Sequence, residues 1–178
     1  MAKYFGTDGI RARANQEPIT PHTILKIAQA FGVFLKRKVS HPKDVVGKDT
    51  RVSGYIIENA LAAGLHSVGV DILFLGPIPT PGVAYFTKHL NANAGIVISA
   101  SHNPYYDNGI KIFLPTGMKL DEATERLIEE DIHSDSSTES VGEAVVNSRS
   151  EAAFRISYSM HLIAVADSIK KNDELKIV

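Results

Sequence analysis

The sequence contains no cysteine, which excludes a disulfide framework and any zinc site built on cysteine thiolates. It also lacks an excess of charge of either sign. The formal net charge of the 178 residues is -1, so nothing suggests a nucleic acid or an anionic membrane as a partner. No apolar run approaches the length of a bilayer span, and the first residues lack the apolar core of a signal peptide. We therefore expect a cytoplasmic protein.

The composition suits one globular domain of ordinary size, with room for part of another. Hydrophobic residues make up 44% of the chain and charged residues 22%, both close to average. Short apolar, β-branched runs predict four strands, at 45–48, 68–75, 94–99 and 110–114. Helical patterns separate the first three, which predicts an α/β fold: a three-layer αβα domain with a mixed, mostly parallel four-stranded sheet. The fourth strand should run antiparallel to the third, because the loop between them is too short for a crossover.

N-cap residues and prolines indicate where the predicted helices begin. Thr20 is a predicted N-cap with proline directly after it, and Ser53 and Asp121 are predicted to cap two more helices. A helix from Gly82 to about His89 follows a turn made rigid by three prolines. A long helix is predicted to begin near Arg149.

The most informative stretch is 94–113, where two predicted strands flank a loop around Ser101. After the first strand the chain reads His102-Asn103-Pro104, which breaks regular structure, and then Asp-Asn-Gly, a turn sequence. A loop held at both ends by buried strands can present a reactive side chain to solvent. Ser101 is the strongest candidate for chemistry in this chain.

Ser101 could be an acyl-transfer nucleophile or the carrier of a phosphoryl group. The first role needs a general base on the hydroxyl, but the side chain of the adjacent His102 should diverge from it, and the Gly-x-Ser-x-Gly motif is absent. The second role needs donors for the phosphate oxygens and usually a divalent cation. Asn103, His102 and Lys111 are donors of that kind, so the residues favour phosphate.

An N-terminal loop is a second candidate for anion binding. Thr7, Asp8 and Gly9 are followed closely by Arg11, which together describe a tight loop with exposed N–H groups and a cation. The alternative is an ordinary N-terminal turn.

The segment 47–54, Gly-Lys-Asp-Thr-Arg-Val-Ser-Gly, is a third candidate. Lys48 and Arg51 could hold a phosphate in this strand-to-helix passage, although the Walker A ending is absent. The alternative is a plain connection in which Asp49 and Arg51 pair with each other.

These motifs resemble those of the α-D-phosphohexomutases. Ser-Ala-Ser-His-Asn-Pro at 99–104 with Asp-Asn-Gly-Ile-Lys at 107–111 is similar to the phosphoserine loop of that family. The runs at 5–11, 47–54 and 76–81 also match family motifs, although Ala12 stands where the family usually has glycine. The Asp-Asn-Gly-Ile-Lys run is more similar to the phosphoglucosamine mutase branch than to the phosphomannomutase/phosphoglucomutase branch.

The resemblance implies an intramolecular phosphotransferase. Phosphorylated Ser101 would convert glucosamine 6-phosphate into a 1,6-bisphosphate, and the return of the other phosphoryl group would release glucosamine 1-phosphate. The implied catalytic residues are Ser101, Lys111 and His102, and the implied substrate-binding residues are Thr7, Asp8, Gly9, Arg11 and Asn103. One Mg²⁺ is implied, bound by the phosphate on Ser101 and by aspartates outside this chain. The 47–54 segment is expected to support the phosphoserine.

The resemblance also implies a domain organisation. Residues 1–133 would form the first of four domains, 134–148 a Ser-rich linker, and 149–178 the start of a second, truncated domain. We expect the chain to have no turnover by itself, and a homodimer through the first domain is a further expectation. The alternatives are a phosphomannomutase/phosphoglucomutase, a non-catalytic module that binds phosphosugars, and a serine hydrolase.

Overall fold

The computed structural model of the protein describes residues 4–133, 146–150 and 153–170. Six strands occur in this part of the chain: β1 (Ile10–Arg13), β2 (Lys43–Lys48), β3 (Asp71–Pro77), β4 (Ala94–Ile98), β5 (Asp107–Phe113) and β6 (Ser148–Ser150). Its helices are α1 (Pro21–Lys36), α2 (Gly54–Ser67), α3 (Thr80–His89), α4 (Glu122–His133) and α5 (Ala153–Lys170). None of these helices is long and apolar enough to cross a membrane.

All six strands belong to one mixed sheet in the order β1-β5-β4-β2-β3-β6. The pairs β4–β2, β2–β3 and β3–β6 are parallel, whereas β5 runs antiparallel to β4 and to β1. The predicted fold class and the antiparallel fourth strand are confirmed. The predicted number of strands was wrong, because the two edge strands β1 and β6 have only four and three residues and are too short to show an alternating pattern.

Helices cover both faces of the sheet, which gives the three layers. On one face, Val46, Ile96 and Ile110 pack into the larger core together with α1 and α2. On the other face, the residues adjacent to Val46 and Ile96 in the chain, Val45 and Val97, pack with α3. This alternation is what a central strand buried on both sides requires.

The first helix forms where the sequence predicts it. Thr20 adopts an extended conformation and its hydroxyl accepts the N–H of Thr23 over 3.3 Å, while Pro21 occupies the first helical position. One side of the helix, including Ile24, Ile27 and Phe31, is then buried. Similarly, Asp121 caps α4 by accepting the N–H of Thr124 over 2.9 Å.

The last described helix packs against the core on the α3 side of the sheet. Tyr158 of α5 is 9% exposed and packs in the core on the α3 side, where the ring of Phe154 lies 5.3 Å from that of Phe86. Further along α5, Leu162 and Val165 are 49% and 41% exposed. The helix begins at Ala153 rather than near Arg149. The domain boundary and the truncated second domain stay predictions, since 134–145 and 171–178 lie outside the described residues.

Candidate active site

Ser101 lies in the turn that joins β4 to β5, and its side chain is exposed. Its φ angle is 58°, in the left-handed region that residues with a Cβ seldom occupy. Holding serine there costs on the order of 1 kcal/mol, so the surrounding structure must fix this backbone conformation.

Arg51 fixes the loop from one side. Its guanidinium donates to four main-chain carbonyl oxygens of the loop: those of Ser101 (2.9 Å), Asn103 (2.8 Å), Asp107 (3.0 Å) and Pro104. The remaining donor, Nε, bonds to the Asp49 carboxylate over 2.8 Å. All five N–H groups of an arginine are thereby used, and none is left for a ligand.

Asp49 and Ser99 fix the N–H side of Ser101. The Asp49 carboxylate accepts the Ser99 hydroxyl over 2.7 Å, and the Ser99 oxygen in turn accepts the N–H of Ser101 over 2.9 Å. Both the N–H and the C=O of Ser101 are therefore bonded to groups that connect back to Arg51. This continuous network holds the strained conformation while leaving the Ser101 hydroxyl outside it.

The hypothesis that Lys48 and Arg51 hold a phosphate does not agree with these contacts. Arg51 pairs with Asp49, which was the alternative interpretation of the 47–54 segment. Lys48 is 5% exposed, forms an ion pair with Glu58 and lies with its ammonium 3.6 Å from the centre of the Tyr55 ring. The segment does support the Ser101 loop as expected, but through the hydrogen bonds of Arg51 and Asp49 and not by binding a phosphate.

Two glycines bring the N-terminal loop against the Ser101 turn. Gly109 of β5 lies opposite Arg11 of β1, and its carbonyl accepts the N–H of Ser99 over 2.9 Å. A Cβ at Gly109 would lie 2.6 Å from the Ile10 carbonyl oxygen and 2.8 Å from Cγ of Arg11. Gly9 has a φ of 87° and packs on the carbonyl of Ile110. Only glycine permits these close approaches.

Arg11 and Lys111 extend from the same face of the sheet, because Arg11 pairs with Gly109, two residues before Lys111. The Nε of Arg11 is buried and has no hydrogen-bond partner among the described residues, and its Nη1 lies 3.5 Å from the Asp8 carboxylate. Within the same part of the chain, no ion pair or hydrogen bond engages the Lys111 ammonium. Two cations therefore extend from one face of the sheet, on the paired strands β1 and β5.

The other predicted site residues have different surroundings. Thr7, Asp8 and His102 are exposed, and His102 has no hydrogen bond to any described residue. Asn103 donates its side-chain N–H to the Asp107 carboxylate over 3.0 Å, so one of its two donors closes the loop. The roles assigned to these residues stay predictions.

Sequence reasoning missed Ser99, although a local signal for it exists. A serine hydroxyl that accepts the N–H two residues later is a common turn motif, and Ser99-Ala100-Ser101 has that spacing. It also missed Lys119 and Glu129, which contact the N-terminal loop. Their partners lie more than a hundred positions away, and no local pattern points to them.

The arrangement suits a phosphoryl group better than an acyl intermediate. Ser101 is exposed at a fixed turn, and two cations extend from β1 and β5. Among the described residues, no base is bonded to the Ser101 hydroxyl. Among the described residues, no cluster of three or more His, Asp or Glu side chains is arranged to hold a metal ion.

Comparison with known proteins gives a consistent picture. The family model described as phosphoglucomutase/phosphomannomutase, alpha/beta/alpha domain I, matches residues 2–139. A phosphoglucosamine mutase of Delftia acidovorans is 54% identical over 132 residues, which cover 74% of this chain and 30% of that protein. One of Methylococcus capsulatus is 57% identical over 128 residues, which cover 72% of this chain and 29% of that protein.

Solved structures agree on the fold. A phosphoglucomutase/phosphomannomutase family protein of Burkholderia thailandensis superposes with a TM-score of 0.71 at 25% identity, covering 83% of this chain and 32% of that one. The chain thus spans about a third or less of the length of the relatives it matches.

Proposed function

Since the chain belongs to the phosphoglucomutase/phosphomannomutase family through its α/β/α domain I, we propose that Ser101 is the residue that carries the phosphoryl group in a phosphohexomutase. The substrate pair we propose is glucosamine 6-phosphate and glucosamine 1-phosphate. Relatives named phosphoglucosamine mutase, at 54–57% identity, support this choice over other hexoses.

The proposed reaction moves one phosphoryl group in each of two steps. First, the sugar O1 hydroxyl attacks the phosphorus on Ser101, the P–Oγ bond breaks, and the O1 proton is passed to the Ser101 oxygen as the 1,6-bisphosphate forms. After the bisphosphate reorients, the Ser101 hydroxyl attacks the 6-phosphoryl group, the P–O6 bond breaks, and the serine proton is passed to O6, so that glucosamine 1-phosphate is released. Such transfers depend mainly on alignment and on neutralising the charge of the phosphoryl oxygens.

The chain's own residues supply part of that alignment. Arg11 and Lys111 would neutralise phosphoryl charge from the open face of the sheet, and His102 would accept or return a proton. Thr7, Asp8, Gly9 and Asn103 would contact the sugar phosphate. The observation that carries the proposal is the geometry of Ser101: its main chain is bonded on both sides, its φ is 58°, and its hydroxyl is exposed.

Phosphorylated Ser101 is the one magnesium ligand that we propose for this chain. A phosphate oxygen on this residue would be one ligand, and Mg²⁺ would neutralise the transferred group. The Asp49 carboxylate is bonded to Arg51 and Ser99, so it is not an available second ligand. The described residues do not complete a metal site, and further ligands are expected outside this chain. The cytoplasmic location and the homodimer likewise stay predictions.

Phosphorylation of an enzyme that includes the rest of the relatives' length tests the proposal. This enzyme is incubated with glucosamine 1,6-bisphosphate and Mg²⁺, and its intact mass is measured. We expect the mass of one phosphate group to be added, to be absent in Ser101→Ala, and to be retained in Ser40→Ala, which removes an exposed hydroxyl elsewhere. Modification that persists in Ser101→Ala contradicts the proposal.

The alternatives predict other outcomes. A non-catalytic phosphosugar-binding module would bind the bisphosphate without gaining mass, and a serine hydrolase would be labelled at Ser101 by a fluorophosphonate. A mutase assay of the isolated chain should show no turnover. In an enzyme that includes the rest of the relatives' length, preference for mannose 6-phosphate over glucosamine 6-phosphate would favour the phosphomannomutase alternative.

A further inference from the structure

The N-terminal segment 4–9 is bonded to α4 through its main chain. One carboxylate oxygen of Glu129 accepts the N–H groups of both Tyr4 (2.7 Å) and Phe5 (2.8 Å). The Phe5 side chain is 3% exposed and belongs to the larger core. Glu129 therefore fixes where the chain enters the loop that contains Thr7, Asp8 and Gly9.

A second side chain holds the middle of the same loop. The ammonium of Lys119 donates to the carbonyl oxygen of Thr7 over 2.8 Å, and it lies 3.1 Å from the carboxylate of Glu125. Glu125 is 7% exposed, so this ion pair orients the lysine from a buried position on α4. Glu122 and Arg126 line the same cavity of about 230 Å³ but have no hydrogen bond to the loop.

The far end of the loop is fixed by its own backbone. Gly6 and Gly9 exchange two hydrogen bonds of 3.0 and 3.1 Å, and Gly9 packs against β5 beside Lys111. The loop is thus held at its start, its middle and its end. The contacts from Glu129 and Lys119 reach main-chain atoms, so they determine the path of the loop whatever side chains it carries.

We propose that Lys119 and Glu129 are positioning residues that pre-organise the Thr7–Gly9 loop for the sugar phosphate. The role of that loop in substrate binding rests on the proposed function. The fixed conformation of the loop does not depend on the proposed function, so the conformation and the binding role can be tested separately. A pre-organised loop binds its ligand without first losing conformational freedom, and loosening it should weaken binding more than it slows chemistry.

Hydrogen exchange measured by NMR on the whole 178-residue chain tests the fixed loop. In Lys119→Met we expect the amides of Gly6 and Gly9 to exchange about tenfold faster, since a charge-assisted hydrogen bond is lost. In Glu129→Met the same is expected for Tyr4 and Phe5. Amides of β2 and β4 should keep their wild-type rates in both variants.

Conservative and matched variants separate positioning from general stability. Lys119→Arg and Glu129→Gln keep a donor and an acceptor, and they should restore most of the protection. Arg126→Met and Glu122→Gln change charges that line the same cavity without touching the loop, and they should behave like the wild type. Unchanged loop exchange in Lys119→Met and Glu129→Met overturns the inference. So does faster exchange throughout the sheet, or equal loosening by Arg126→Met.

A kinetic measurement tests the consequence for the ligand. In the enzyme that includes the rest of the relatives' length, the rate of Ser101 phosphorylation is followed by mass against the concentration of glucosamine 1,6-bisphosphate. We expect Lys119→Met to raise the half-saturating concentration about tenfold while the limiting rate changes by less than about twofold. A fall in the limiting rate alone contradicts the positioning role. If the wild type is not phosphorylated, the proposed function fails, and the exchange data still decide whether these residues fix the loop.

Discussion

Arg51 donates a hydrogen bond to the carbonyl oxygen of Ser101, over 2.9 Å and across 50 positions of sequence. The same guanidinium holds three more carbonyl oxygens of the loop, so one side chain determines the shape of the turn in which the proposed phosphoserine lies. The planar fork of arginine can reach all four, whereas the ammonium of a lysine has three donors at a single point.

Arg51→Lys should therefore destabilise the protein even though the charge is kept. The Arg51 side chain is 12% exposed, and the loss of several of its five hydrogen bonds should lower the free energy of unfolding by about 2–4 kcal/mol. Urea unfolding measures this change. Arg126→Lys, at an exposed position of α4, is the matched control and should change stability by less than about 0.5 kcal/mol. Equal stability of the two variants would show that the Arg51 contacts contribute little.

Gly109→Ala should destabilise the chain through backbone clashes alone. The new methyl group would lie 2.6 Å from the Ile10 carbonyl oxygen and 3.0 Å from that of Ser99, so β1 or the Ser101 turn must shift. We expect a loss of about 1–3 kcal/mol by urea unfolding. Gly54→Ala is the control, since its methyl group meets nothing closer than 3.5 Å and a helix accepts alanine well. If Gly109→Ala is as stable as Gly54→Ala, the close approach of β1 is not required.

Much of the fold was predictable because its signals are local. The N-caps at Thr20 and Asp121 and the antiparallel turn from β4 into β5 each depend on residues within a few positions of one another. The position of Ser101 on a loop between two strands follows from the same signals. Short elements without such signals were missed, as β1 shows: it has four residues and its partner β5 lies about a hundred positions later.

The contacts that shape the site were not predictable from local pattern. Arg51 looks from sequence like a cation that could bind phosphate, and only the fold reveals that carbonyl oxygens 50 to 56 positions away occupy its donors. Glu129 looks like one of several glutamates on an amphipathic helix, yet it bonds to main-chain groups 124 and 125 positions earlier. Nothing in the sequence distinguishes it from the exposed Glu130.

Ser101→Gly should be more stable than Ser101→Ala. Both variants lose the hydroxyl and therefore the proposed phosphorylation, but only glycine occupies a φ of 58° without a steric penalty. We expect a difference of about 1 kcal/mol in favour of glycine, measured by urea unfolding. Equal stabilities would mean that the turn relaxes in the alanine variant. In that case the network of Arg51, Asp49 and Ser99 would not hold the turn in its left-handed conformation.

Asp44, on β2, should make the stability of the protein depend on pH. It is fully buried, and neither carboxylate oxygen has a hydrogen-bond partner of normal geometry among the described residues. Burial raises the pKa of Asp44 well above its usual value of 3.8, and the nearby backbone of Ala94 lowers that pKa by a smaller amount. Between the two pKa values the folded state holds a proton that the unfolded state has lost, so stability falls as pH rises.

Asp44→Asn tests this directly, because an amide is neutral at every pH in the window. Below about pH 4 the two proteins should respond to pH alike. Above it, wild-type stability should fall by up to about 1.4 kcal/mol per pH unit until the raised pKa is passed, while Asp44→Asn should show no such fall. Urea unfolding at several pH values measures the difference, with Asp167→Asn on the exposed side of α5 as control. The slope of the stability difference between wild type and Asp44→Asn against pH measures the extra proton that the folded state binds at Asp44. A difference that stays constant with pH would therefore mean that Asp44 is not held protonated.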